Sequence, residues 1–282
     1  MSVKRRKLIG IETISFIFLI FLAVVFLIPV FLVLLNSFKS RLYISSSPFA
    51  LPNKETFAGF ENYINGISTS GFFLSFLRSV TITLISVILI IVCTSMASWF
   101  IVRVKNKMTK GLYYLFAFSM IVPFQMVMYT MTYIVNVLNF DNVLGINLVY
   151  LGFGAGLSVF MFTGFVKAVP LDIEEAAEID GCNPLQTFFL VVFPVLKPTS
   201  ITVAILNSMW IWNDYLLPYL VLGTDDKTVP VAIQIAMQGA YGATDYGGFM
   251  AMLVVAIIPI IAFYIASQKY IIKGVISGAV KG

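Results

Sequence analysis

The sequence contains no histidine. That removes a histidine general acid or base and any histidine-ligated metal site. Two cysteines, Cys93 and Cys182, are too few for a disulfide framework or a four-thiolate zinc site. No G-x-x-x-x-G-K-[ST] segment occurs, so the chain has no P-loop for ATP. Charge is also scarce, at 11% of residues, where ordinary soluble domains carry about 25%. What fills the chain instead is apolar: 60% of its 282 residues are hydrophobic, and the mean hydropathy is +0.97. A soluble fold of this composition would have no polar face to show to water. Soluble enzymes, disordered chains and fibrous repeats are excluded, and the composition points to a membrane protein with several spans.

A bilayer core needs about 20 apolar residues in a helix. Six runs meet that need: 14–35, 80–102, 112–135, 148–166, 199–222 and 249–268. Asp214 is the one charged residue inside them. Helices are expected, because lipid offers no partner to exposed backbone N–H and C=O groups. The runs do not alternate, which excludes a porin-type barrel. Lys4, Arg5, Arg6 and Lys7 precede the first run as in a signal peptide. The run is too long for one, and no A-x-A site follows, so an uncleaved anchor is expected. Placing the N-terminus in the cytoplasm puts 13 of the 18 Lys and Arg residues on that side. That bias fits six spans with both termini inside. Cys182 is then cytoplasmic and Cys93 lies in a span, two reduced structural thiols. No internal repeat is found, and residues 1–282 read as one membrane domain. The outer segment 36–79, with Pro48, Pro52 and several aromatics, is expected to fold onto the membrane surface.

The cytoplasmic segment 167–198 is longer than a helix hairpin needs. It reads as two short helices. Asp172 can cap the first, with Glu175 closing a capping box. Glu174, Glu175 and Glu178 crowd its early turns, where the macrodipole favours negative charge. Ile173, Ala176 and Ala177 share one face. Gly181, after Asp180, stands where a C′ residue turns the chain with positive φ. Asn183, Pro184 and Gln186 have the spacing of a capped second start. Pro194 and Pro198 break the chain before the fifth run. A helix lying on lipid would carry Lys and Arg on its polar face. This acidic one is better suited to docking into a protein groove.

Glu175-Ala176-Ala177, three residues, Gly181, nine residues and Val191-Val192-Phe193-Pro194 resemble the E-A-A-x3-G-x9-I-x-L-P signature of bacterial ABC-importer permeases. Trp210-Ile211-Trp212-Asn213-Asp214 and the end 273–282 are similar to the carbohydrate-uptake branch, of the maltose-permease G (MalG-like) type. The likeness spans essentially the whole chain. It implies an all-α integral membrane protein of the type I ABC importer fold, with a coupling helix that sits in a cleft of the ATPase. It assigns ATPase coupling to Glu174, Glu175, Ala176, Ala177, Asp180, Gly181 and Pro194, and ATPase contact to the tail residues Gly278, Lys281 and Gly282. The implied partners are a second homologous permease, two ATP-binding subunits, an extracytoplasmic sugar-binding protein and membrane lipid, with no nucleic acid. This chain then needs no cofactor, since ATP and Mg bind the partner ATPase. The implied location is the bacterial plasma membrane.

Two further regions bear on the substrate. Asn207, Trp210, Asp214 and Leu217 recur on one helix face. A ring beside amide and carboxylate groups suits a sugar, so Asn207, Trp210, Asn213 and Asp214 are candidates for the path. The competing reading is that Asn213 and Asp214 brace helices. Gln125 is a weaker candidate. The outer segment with Gln238, Gly239 and Tyr241 is glycine-rich and aromatic, and the resemblance implies that it reaches the binding protein. The rival function is a gradient-driven secondary transporter, which one buried Asp and no repeat disfavour. An intramembrane enzyme lacks any nucleophile–base pair.

Overall fold

The structure, a computed structural model, describes residues 2–237 and 244–279, with side-chain surroundings for 12–237 and 244–270. Regular structure among the described residues is helical, apart from isolated bridges such as Lys39 with Phe57. The helices are α1 (Ser2–Ser37), α2 (Arg41–Ser46), α3 (Glu61–Ser70), α4 (Phe72–Arg103), α5 (Lys107–Ser119), α6 (Phe124–Val137), α7 (Ile146–Val166), α8 (Asp172–Ile179), α9 (Pro184–Val195), α10 (Lys197–Asn213), α11 (Leu216–Leu222), α12 (Val229–Ala236) and α13 (Tyr246–Ala279). The chain divides into two units. One comprises residues up to Phe72 with Ile233–Ile258, and the other Phe73–Ala232 with Pro259 onward.

Among the described residues, four helices are long and apolar enough alone to cross a membrane: α1, α4, α7 and α13. Two bent pairs bring the number to six. From the sequence, Pro29, Pro123, Pro218 and Pro259 are expected to shape kinks, and the runs holding Pro123 and Pro218 are broken. The third run, 112–135, is two helices meeting at 109°. Pro123 lacks the N–H that would bond the Ser119 carbonyl, and it instead precedes α6 as its N-cap residue. In the fifth run, α10 stops at Asn213 and Asp214 is extended, with φ −75° and ψ 120°. Pro218 is the cause there, because its ring would clash with the Asp214 carbonyl in a continuing helix. A second bend, of 77°, separates α9 from α10. Pro29 and Pro259, expected to shape kinks, lie inside the continuous helices α1 and α13.

In the first unit α1 is bare. None of its most apolar 18-residue window is buried, and Phe16, Phe21 and Phe26 are all exposed. Such an apolar surface suits lipid rather than water. Segment 38–63 folds on itself beside the end of α1. Phe38 packs against Phe57, Phe60 and Tyr63, with the Tyr63 ring 5.3 Å away. Asn62 Nδ2 donates to the Ser37 and Lys39 carbonyls, both at 2.8 Å. Lys39 is fully buried, and its Nζ donates to the Ser47 carbonyl at 2.8 Å. Burial pushes its ammonium below the ordinary lysine range.

In the second unit α7 is the centre. Its sequence is apolar on all sides, as a membrane span packed on one side requires: Tyr150, Val159, Phe162 and Val166 are fully buried, while Leu148 and Phe160 are exposed. Gly154 lets α4 and α10 close in: a Cβ there would lie 2.6 Å from Ile90 Cδ1 and 2.8 Å from Asn207 Oδ1. Polar side chains join these helices, as is usual in lipid. Ser86 Oγ donates to Asn147 Oδ1 at 2.8 Å, and Asn207 Nδ2 to Ser158 Oγ at 3.3 Å. The two cysteines are free thiols, with Cys93 exposed on α4 and Cys182 half-buried.

Candidate coupling segment and intramembrane polar site

The segment between α7 and α10 is built from local capping. Leu171 O accepts from the N–H groups of Glu174 and Glu175, so α8 starts one residue earlier than expected. Asp172 is therefore its first residue and not its cap, and no side-chain capping bond forms there. Its carboxylate still sits at the positive end of the helix dipole. After α8 the chain turns at Gly181, whose φ is +87°. Asn183 then caps α9: its Oδ1 accepts from Gln186 N–H at 3.0 Å, and Gln186 Oε1 accepts from Asn183 N–H at 2.9 Å. Pro184 occupies the first turn, where its missing N–H costs nothing. Residues Thr187–Val192 wind as a π-helix directly before Pro194. A proline there withholds the N–H that the Leu190 carbonyl would otherwise accept, and π-turns often mark functional sites.

One face of α8 points inward. Glu174 and Ala177 are buried, at 6% exposure each. Glu174 Oε1 accepts from Arg103 Nη2 at 2.6 Å and from Nε at 3.1 Å. Trp99 Nε1 donates to its other oxygen at 3.0 Å. Arg103 Nη2 also reaches the Val169 carbonyl at 3.0 Å. The Trp99 ring lies 5.6 Å from Phe188 of α9. The end of α4 thus holds both short helices through one arginine and one tryptophan. Sequence reasoning missed Arg103 and Trp99; their one signal was an i, i+4 pair at the end of an apolar run. It also grouped Glu174 with the other acids of the first turns, whereas its carboxylate is paired with Arg103 inside the chain. Of Ile173, Ala176 and Ala177, expected to share one face, Ala177 is buried, Ile173 half-buried and Ala176 exposed, and Glu174 is buried beside them.

The outward face carries Glu175, Ala176, Glu178 and Asp180. Beside them Ile179 is 86% exposed, and Leu185 and Leu190 are exposed as well. Gly181 and Pro194 also face outward. Of the tail residues, Gly278 belongs to α13, while Lys281 and Gly282 lie outside the described residues. Gln238, Gly239 and Tyr241 lie outside them too.

The intramembrane candidates do not form one helix face, because the helix ends before Asp214. Asp214 Oδ1 accepts from Leu217 N–H at 3.3 Å, which supports the start of α11. Its Oδ2 accepts from Tyr150 Oη at 3.3 Å. Trp210 meets the Tyr150 ring edge-on at 5.5 Å. Tyr150, missed in the sequence as one more aromatic in an apolar run, therefore brings Trp210 and Asp214 together. Asn207 is buried, and its amide is spent on Ser158 and the Val203 carbonyl at 2.9 Å. Asn213 is exposed, and its Nδ2 donates to the Met209 carbonyl at 2.7 Å. It lines a separate cavity of about 180 Å3 with Thr83, Ser208 and Trp212. Gln125 falls in the first turn of α6.

Comparison with known proteins agrees with this architecture. Residues 10–277 match the family described as "binding-protein-dependent transport system inner membrane component". The chain is 34% identical over 263 residues to the "Probable starch degradation products transport system permease protein AmyC" of Thermoanaerobacterium thermosulfurigenes, covering 93% of this chain and 94% of that one. It is 34% identical over 264 residues to the multiple sugar-binding transport system permease protein MsmG of Streptococcus mutans, covering 92% and 93%. A chain of a bacterial ABC transporter involved in alginate import superposes with a TM-score of 0.76 at 20% identity, covering 96% of this chain and 99% of the other. That likeness shows the type I ABC-importer permease fold. With the family match over nearly all its length, the chain belongs to the inner-membrane components of binding-protein-dependent transport systems.

Proposed function

We propose that this chain is the permease subunit of an ATP-driven sugar importer. It lines the pathway with a second, homologous permease and has no catalysis of its own. Two ATP-binding subunits dock beneath, and ATP and Mg bind to them. An extracytoplasmic sugar-binding protein delivers the substrate. Both termini are cytoplasmic, as the lysine and arginine bias requires. The sugar permeases among its relatives support the substrate class. The observation that carries the reading is the two-faced α8. Its inner face is tied to α4 through Glu174 and Arg103. Its outer face offers Glu175, Ala176 and Ile179, with Asp180 just beyond, as a docking surface. Movement of a docked ATPase would pass through that ion pair into α4, which gives a bistable element biased from both ends.

Trp210 and Asp214, set by Tyr150, are the substrate-path residues of this proposal. Asn207 and Asn213 serve it by shaping α10. The Gln238, Gly239 and Tyr241 segment reaches the binding protein, and Gly278, Lys281 and Gly282 touch the ATPase. The test is affinity purification of the tagged chain from native membranes, followed by uptake in proteoliposomes. Recovery of a second permease and an ATPase, with ATP-dependent sugar uptake, is the expected result. A chain recovered alone and driven by an ion gradient would overturn the proposal in favour of a secondary transporter.

A further inference from the structure

A cavity of about 1090 Å3 opens where α4 ends, α5 begins and α7 ends. Among the described residues its lining carries Arg103, Lys105, Lys107, Lys110 and Lys167, and no acidic side chain. Arg103 is committed to Glu174 and the Val169 carbonyl. The four lysines are exposed and form no ion pair among the described residues. Lys167 Nζ lies 5.9 Å from the centre of the Tyr113 ring, which lines the same cavity. The N-terminus of α5 falls at Lys107, so its dipole adds positive potential.

An excess of lysine in cytoplasmic loops sets topology and by itself implies no ligand. Here the cations come from two loops far apart in sequence and converge on one concave site. The cavity also has apolar wall, from Val102, Val169 and Leu171. Three apolar helices begin or end at this level, so the site sits at the depth where hydrocarbon gives way to headgroups. A basic pocket between helix ends, with an apolar side, matches a phosphate ester carrying acyl chains better than a free ion.

We propose that this pocket binds the phosphodiester headgroup of an anionic phospholipid from the cytoplasmic leaflet. Lys105, Lys107, Lys110 and Lys167 neutralise the phosphate. The apolar wall meets the upper acyl chain. The orientation rests on the proposed function above. Because Val169 and Leu171 lead directly into α8, a bound lipid steadies the base of the coupling segment.

The test uses the full chain in nanodiscs of equal phosphatidylglycerol and phosphatidylcholine, extracted and weighed by native mass spectrometry. Wild type is expected to keep phosphatidylglycerol selectively. Lys105→Gln/Lys107→Gln/Lys110→Gln should lose it on the order of a hundredfold, at roughly fivefold per lysine. Lys197→Gln/Lys227→Gln/Lys269→Gln removes as many cations outside the pocket lining and should retain the lipid. Equal loss in both triple variants overturns the proposal, because charge alone would then explain retention. No preference over phosphatidylcholine, with retention of added inorganic phosphate instead, overturns it in favour of a free anion. A pocket variant that keeps its lipid but loses a co-purifying ATPase marks a protein-docking surface and also overturns it. Lipid retention is read without transport, so a failed importer reading leaves this result interpretable.

Discussion

Arg103 grips Glu174 with two nitrogens, the shorter bond being 2.6 Å from Nη2 to Oε1. The pair is mostly shielded, with side-chain exposures of 18% and 8%. It joins the last turn of the long helix α4 to the first turn of α8. An arginine fork on a carboxylate fixes direction as well as distance, which is what a mechanical connection needs. Trp99 closes the far side of the same carboxylate.

Removing one partner leaves the other charge buried. Glu174→Ala or Arg103→Ala should each destabilise the chain by about 3 kcal/mol. The double variant should cost less than the sum, with a coupling energy of roughly 1–3 kcal/mol. Thermal unfolding in detergent measures both, and ATP hydrolysis without uptake is the expected transport phenotype. Additive losses would remove the pair from its connecting role.

Gly181 separates backbone strain from crowding. No heavy atom lies within 4 Å of a Cβ built there, but its φ of +87° is unfavourable for other residues. Gly181→Val should cost roughly 1–2 kcal/mol of local strain, and Gly181→Asn less. Uptake driven by ATP should fall in that order while the chain still inserts. Equal uptake in the two variants would show that the turn does not depend on its left-handed geometry.

Two glycines on α7 should behave oppositely. Gly154→Ala drives a methyl group into Ile90 and Asn207, at a cost of about 1–3 kcal/mol. Gly152 has nothing within 4 Å of its built Cβ, so Gly152→Ala should be neutral or slightly stabilising. Midpoints of thermal unfolding compare them directly.

Asp214→Asn keeps an acceptor oxygen for Leu217 N–H and offers Tyr150 Oη an Nδ2 donor in place of the second oxygen, but drops the charge. The thermal midpoint should hold, while the apparent KM for sugar rises about tenfold, the difference between a charged and a neutral hydrogen bond. Asp214→Leu strands both donors and should destabilise by about 3 kcal/mol. An unchanged KM in Asp214→Asn would make the carboxylate a brace alone.

Deleting residues 239–244 should reduce binding-protein-dependent uptake several-fold. The second permease and the ATPase should still co-purify. Normal uptake would end the proposed contact with the binding protein.

Much of the architecture was open to reading because its causes are local. Bilayer thickness sets run length, so six apolar runs announce themselves without tertiary knowledge. The Asn183–Pro184–Gln186 start and the Gly181 turn depend only on neighbours a few residues apart. The same local reasoning misplaced the start of α8. It also read Pro123 and Pro218 as kinks and not as full breaks, because hydropathy and a proline alone do not give the angle between the two pieces.

The residue order is enough to specify a chain for lipid, its charge bias and a capped acidic loop with a recognisable spacing. That Glu174 turns inward while Glu175 stays out follows from packing. Adjacent helix positions lie on different faces, and which one is buried depends on where Arg103 stands, 71 residues away. Packing likewise decides that Asp214 ends one helix and supports the next, with Tyr150 as its partner 64 residues away. Periodicity records which residues share a face, but the groups that meet across helices are set by packing.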